Sequence, residues 1–96
     1  MVLTIAVVTY KNFRQLADCL ISLTRHVEYP YRVVVVNNGP AVADDGTEFE
    51  RSLRDVVPFR DLKIVQTDRN LGWEGGVNRA FQEAEDTEFF CMANDD

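Results

Sequence analysis

Two runs of apolar, mostly β-branched residues, Leu3–Thr9 and Arg32–Asn37, constrain this chain more than any other feature. A strand with one face in water alternates apolar and polar side chains with period two, whereas a strand covered on both faces does not. Neither run alternates, so both predict strands buried on both faces, which is the environment of a parallel sheet with helices packed above and below it.

The segments between the strands carry helical spacing. Asn12 can cap a helix with Gln15 three residues on, and Phe13, Leu16, Ala17, Leu20 and Leu23 recur on one face until about His26. Pro30 breaks the chain before the second strand, which stops at the turn dipeptide Asn38-Gly39. Thr47 with Glu50 forms a capping box, Phe49, Leu53 and Val56 mark an apolar face, and Pro58 stops that second helix. Leu62–Gln66 predicts a third strand. A glycine-rich turn follows it, then a third helix with Val77, Ala80, Phe81 and Ala84 on one side, and Phe89–Ala93 predicts a fourth strand.

Strands alternating with helices imply right-handed crossovers, and hence a Rossmann-like α/β three-layer sandwich around a mainly parallel four-stranded sheet. The expected order is 3-2-1-4, with residues 1–96 forming a single domain. Ligands of such sheets bind beyond the carboxyl ends of the strands where the winding reverses, here between strands one and four. At this length only about 60 to 70% of the unfolded surface is buried, so a modest stability is expected.

Charge and cysteine usage narrow the function classes. Ten basic residues against 16 acidic ones give a net charge of -6 and no basic footprint for DNA or RNA. Cys19 and Cys91 sit in apolar segments without CxxC spacing, which predicts buried reduced thiols and a cytoplasmic setting. No segment reaches membrane-spanning length, and the apolar start lacks the basic region of a signal peptide.

Each polar cluster follows a strand: Thr9 to Asn12, Asn37 and Asn38, Asp68 to Asn70, and Asn94 to Asp96. Loops are polar in any case, so the chemistry of each cluster has to separate a site from an ordinary edge. The acidic pair is the sharpest. Hard cations such as Mg²⁺ or Mn²⁺ take carboxylate oxygens and complete their shell with substrate phosphates and water. Adjacent side chains of an extended segment point oppositely, so we assign the metal to Asp96 and a ribose hydroxyl to Asp95. An acidic, solubilising tail is the other reading of that pair. Thr67 to Asn78 joins a strand end, three glycines and a helix start, where free N–H groups can face an anion, although tight turns use glycine too. Arg69 either neutralises phosphate or pairs with a surface carboxylate, and Trp73 either covers a ligand or packs. Tyr10 either stacks on a base, with Thr9 at its edge, or forms part of a capping turn. His26, near a helix C-terminus, is left out of the site.

Taken together, Val7 to Asn12, Val34 to Gly39, Arg69 to Gly72 with Gly75 to Asn78, and Asn94 to Asp96 resemble the ordered motifs of family 2 glycosyltransferases of the A-type fold. The match runs along essentially the whole chain, and the Arg69 to Trp73 segment is similar to that of bacterial rhamnosyl- and galactofuranosyl-transferring members. The resemblance implies a nucleotide-sugar donor with its base near Thr9 and Tyr10, Asn37 near the base or ribose, and Arg69 near the base or diphosphate. Asn12, Asn70 and Gly72 fall within the same motifs. Asp95 and Asp96 correspond to the DxD-type motif, while Asn37 and Asn94 stand where members often carry Asp. A UDP-sugar is the default donor, with dTDP- and GDP-sugars open.

In the family the catalytic base and acceptor site lie beyond the acidic motif, which implies the front half of a larger catalytic domain. The apolar fourth strand is then an edge for further chain, a partner or a second copy. A binding module without turnover is the alternative. A receiver-like protein fits less well, because its acidic pair follows strand one, where this chain has Thr9 and Tyr10.

Overall fold

A computed structural model describes residues 3–26, 31–42, 48–57, 61–83 and 89–93. Pro30, Thr47, Pro58, Ala84 and Asn94–Asp96, on which some of the expectations above rest, lie outside them. The elements are β1 (Leu3–Thr9), α1 (Phe13–His26), β2 (Tyr31–Asn37), α2 (Phe49–Val56), β3 (Leu62–Gln66), α3 (Gly72–Glu83) and β4 (Phe89–Ala93). All strand pairs are parallel, and the sheet runs β3-β2-β1-β4. Thr9 pairs in register with Asn37, and Asn37 with Gln66, so β1, β2 and β3 end level with one another.

The β-branched runs are covered on both faces. Val7, Val33 and Val35 pack with Leu16, Leu20, Phe49 and Leu53 of α1 and α2, while Ala6, Val8, Val34 and Val36 pack with Ala80 of α3. This division follows from handedness. The steps β1 to β2 to β3 progress one way and place α1 and α2 on one face; the step to β4 reverses and places α3 on the other. Phe13 and Phe49 join α1 to α2 edge to face, with centroids 5.5 Å apart.

Three expectations need correction. Val56 is 46% exposed, and Val57, just past the end of α2, is buried in its place; its N–H bonds the Leu53 carbonyl as the chain leaves the helix. The N-cap of α2 is Glu48, which makes no side-chain cap bond, and the expected capping box falls on Thr47, outside the described residues. In α3, Phe81 is 64% exposed, whereas Gly76 and Ala80 are buried. That helix also begins at Gly72 rather than after the glycines. A Cβ on Gly76 would lie 2.5 Å from Val8 Cγ1, so α3 meets β1 most closely through its smallest residues; Val77 packs beside them half-buried, and Trp73 and Phe81 are turned outward. Among the described residues, no helix is long and apolar enough to cross a membrane.

Candidate functional site

The level carboxyl ends of β1, β2 and β3 form one rim, and the loops leaving it are tied together by buried amides. Asn37, 1% exposed, donates from Nδ2 to the Pro40 carbonyl at 2.9 Å and to Gln66 Oε1 at 2.7 Å, and its Oδ1 accepts the Gly39 N–H at 3.0 Å. Its side chain is thus spent on the turn after β2. Gln66 Nε2 completes the link with a 2.8 Å bond to the Gly39 carbonyl.

Asn38, also buried, reaches the other way. Its Nδ2 donates to the Gly72 carbonyl at 3.1 Å, and its Oδ1 accepts from Thr67 Oγ1 at 3.2 Å and from the Leu71 N–H at 3.4 Å. Thr67 Oγ1 also lies 2.7 Å from the Arg69 carbonyl and 3.0 Å from that of Asn37, and its one proton serves a single acceptor at a time. Asn70 Oδ1 accepts the Gly72 N–H at 2.9 Å, and Gly72 itself has φ +72°, a left-handed backbone that glycine adopts without penalty. The start of α3 is therefore pinned to the end of β2. Every described buried side-chain polar atom has a partner.

Two clefts open on this rim. The larger, about 500 Å³, runs from Tyr10 and Lys11 past Asn38, Gly39 and Gln66 to Arg69. The smaller, about 270 Å³, is walled by Thr9, Tyr10, Asn12, Gly72 and Trp73. Tyr10, Asn38 and Asn70 border both, so the two adjoin. Their combined size suits a nucleotide-sized ligand. Tyr10 is 45% exposed and Trp73 50%, so both rings present faces to solvent. Arg69 is exposed and, among the described residues, has no carboxylate partner.

The sequence-predicted residues accordingly divide. Thr9, Tyr10, Asn12, Arg69, Asn70 and Gly72 come together on the rim, whereas Asn37 borders neither cleft and lies behind the larger one, holding its turn. Asp95 and Asp96 lie outside the described residues, so the metal and ribose assignments rest on the sequence. Among the described residues, no group of three or more His, Cys, Asp or Glu could hold a metal ion. The larger cleft extends from β1 toward β3 and the smaller lies between the end of β1 and the start of α3; the residues that follow β4, which would flank the expected position between β1 and β4, lie outside the described residues. Sequence reasoning placed Asn38 and Lys11 in the polar clusters without giving either a role, and missed Gln66 as a wall residue. The usable signal was that each closes or follows a strand whose partners end in register.

Cys19 of α1 is half-buried and forms no disulfide among the described residues. Among curated proteins, no sequence matches this chain. Among solved structures, the fold is similar to that of S. aureus TarS, with TM-score 0.71 and 25% identity over the whole of this chain. It is likewise similar to S. aureus TarS 1-349, with TM-score 0.70 and 26% identity. The chain spans only 17% of the first structure and 28% of the second. The sequence pattern described as Glycosyl transferase family 2 matches residues 4–96. With that match spanning nearly all of its length, the chain belongs to glycosyl transferase family 2.

Proposed function

We propose that the rim clefts bind a nucleoside-diphosphate sugar, by default a UDP-sugar, for transfer of the sugar to an acceptor hydroxyl. The observation that carries this reading is the pair of adjoining clefts at the carboxyl ends of β1, β2 and β3, with an exposed tyrosine between them and, on the wall, an arginine that has no carboxylate partner among the described residues. In this reading the Tyr10 ring stacks on the base with Thr9 beside it, and Arg69 pairs with the diphosphate. Asn12 borders the base end. Asn70 Oδ1 takes the Gly72 N–H and so fixes the start of α3, leaving the N–H groups that follow Gly72 to face the phosphates. Asn37 acts through the Gly39–Pro40 turn as a positioning residue. Asp95 takes the ribose.

Sugar transfer builds negative charge on the departing diphosphate, and prearranged donors aimed at that charge lower the barrier. In this reading Arg69 and the start of α3 supply such donors. Asp96 would hold Mn²⁺ or Mg²⁺, which when bound supplies Lewis-acid stabilisation of the leaving group. The chain, in this reading, is the donor-binding front part of a larger catalytic domain, a view supported by its share of the TarS structures. A cytoplasmic setting belongs to the same reading, supported by two cysteines without CxxC spacing.

The test is calorimetric titration with UDP, dTDP and GDP, with and without Mn²⁺, for the wild type and Asp96→Ala. Metal-dependent binding lost in the variant is the expected result. A folded chain that binds none of the three overturns the reading.

A further inference from the structure

We propose that Lys11, which no motif assigns, is a second anion-binding residue of the larger cleft, its ammonium pairing with the diphosphate of a bound nucleotide; this rests on the nucleotide-binding reading of that cleft. The first observation is its backbone. Among the described residues, Lys11 is the non-glycine residue with positive φ, at 58°. Residues with a Cβ occupy that region at an energetic cost and persist there when their surroundings impose it. Here the surroundings do. A Cβ on Gly39 would lie 3.1 Å from Lys11 N and 3.5 Å from Lys11 Cγ, so the turn after β2 packs directly against Lys11, and Asn37 Oδ1 holds that turn in place.

The second observation is electrostatic. Arg32, Arg54, Lys63 and Arg79 are all ion-paired. Arg14, Arg25 and Arg51 lack carboxylate partners among the described residues but stand exposed on helices. Lys11 and Arg69 also lack such partners, yet both border one concave surface, where Asp68 is the only acidic neighbour among the described residues. In a chain of net charge -6, the described wall of this cleft therefore carries two cations to one carboxylate.

The third observation is what Lys11 touches. Its Nζ lies 5.2 Å from the centroid of the Tyr10 ring, the ring assigned to the base. A cation resting on an exposed aromatic face is held more weakly than one hydrogen-bonded to phosphate. A nucleotide that stacks on Tyr10 brings its phosphates within the range of this side chain, and the exchange of ring for phosphate is favourable.

Lys11→Asn tests the proposal, because asparagine tolerates the left-handed backbone while removing the charge. In the presence of Mn²⁺, the chain is titrated with UDP and with uridine, and its urea midpoint is recorded alongside. The expected result is a midpoint at or above that of the wild type, UDP binding weakened about tenfold with a shallower salt dependence, uridine binding unchanged, and recovery in Lys11→Arg. UDP affinity within twofold of wild type overturns the proposal and leaves the nucleotide reading intact. Equal weakening of UDP and uridine does the same, since it moves Lys11 to the base or to the scaffold. A wild type that binds neither compound overturns both.

Discussion

Replacing Gly76 with alanine asks whether the start of α3 is held against β1 by the absence of a side chain. The new methyl would lie 2.5 Å and 3.0 Å from the two Val8 methyls and 3.1 Å from Asn38 Nδ2. Carbon contacts settle at about 3.5 to 4.0 Å, so the helix must retreat by roughly 1 Å or Val8 must leave its rotamer. Val8 is buried among Ala6, Val34 and Val36, which leaves retreat as the easier course. Overpacking of this kind costs about 1 to 3 kcal/mol, and straining the bond from Asn38 to the Gly72 carbonyl adds about 1 kcal/mol. Alanine returns about 0.8 to 1.0 kcal/mol through helix propensity. The net is a loss of about 2 kcal/mol, or a fall in Tm of roughly 8 to 16 °C for a domain of this size. Urea unfolding followed by circular dichroism should show a lower midpoint with an unchanged m value. An alanine variant as stable as the wild type, or more stable, would refute the reasoning, because propensity would then outweigh the close approach.

Two further outcomes follow from the same contacts. Asn38→Ala strips the Gly72 carbonyl and the Leu71 N–H of their side-chain partner, and should cost about 1 to 3 kcal/mol in urea unfolding. Hydrogen bonds from Lys63 and then Arg79 hold the Glu83 carboxyl below its ordinary value of 4.5. A carboxyl with a lowered folded pKa stabilises the fold above its unfolded pKa, and that contribution disappears as pH falls through the lower folded value. Thermal melts should therefore place Glu83→Gln slightly below wild type at pH 7, by about 0.5 kcal/mol, with the gap narrowing in high salt and closing progressively below pH 4.5.

The parallel α/β character was legible because a strand buried on both faces has few sequence alternatives: Val33 to Val36 admit no water-facing side, and all four are buried. Leu16 and Leu20 were legible for the same reason at helical spacing. Phe81 and Val56 were misread because periodicity counts apolar residues and ignores how closely two elements approach. Where α3 meets β1, the closest face takes glycine and alanine, so the face with the strongest apolar signal is not the buried one. In the candidate site, the polar identity of the rim could be read, but its division of labour could not. Asn37 and Asn38 are adjacent and chemically identical, yet one ties the turn after β2 and the other reaches 34 residues along the chain to Gly72. Only the register of β1, β2 and β3 separates those roles.

The central claim is that a nucleoside diphosphate binds the carboxyl rim of this sheet, and backbone amide shifts on titration of the ¹⁵N-labelled chain with UDP and Mg²⁺ test it most directly. The account predicts the largest shifts at Tyr10 to Asn12, Asn38, Gly39 and Ala41, and Asp68 to Trp73. Shifts gathered instead at the opposite edge, around Leu3, Arg32 and Asp61, or none at saturating UDP, would contradict it.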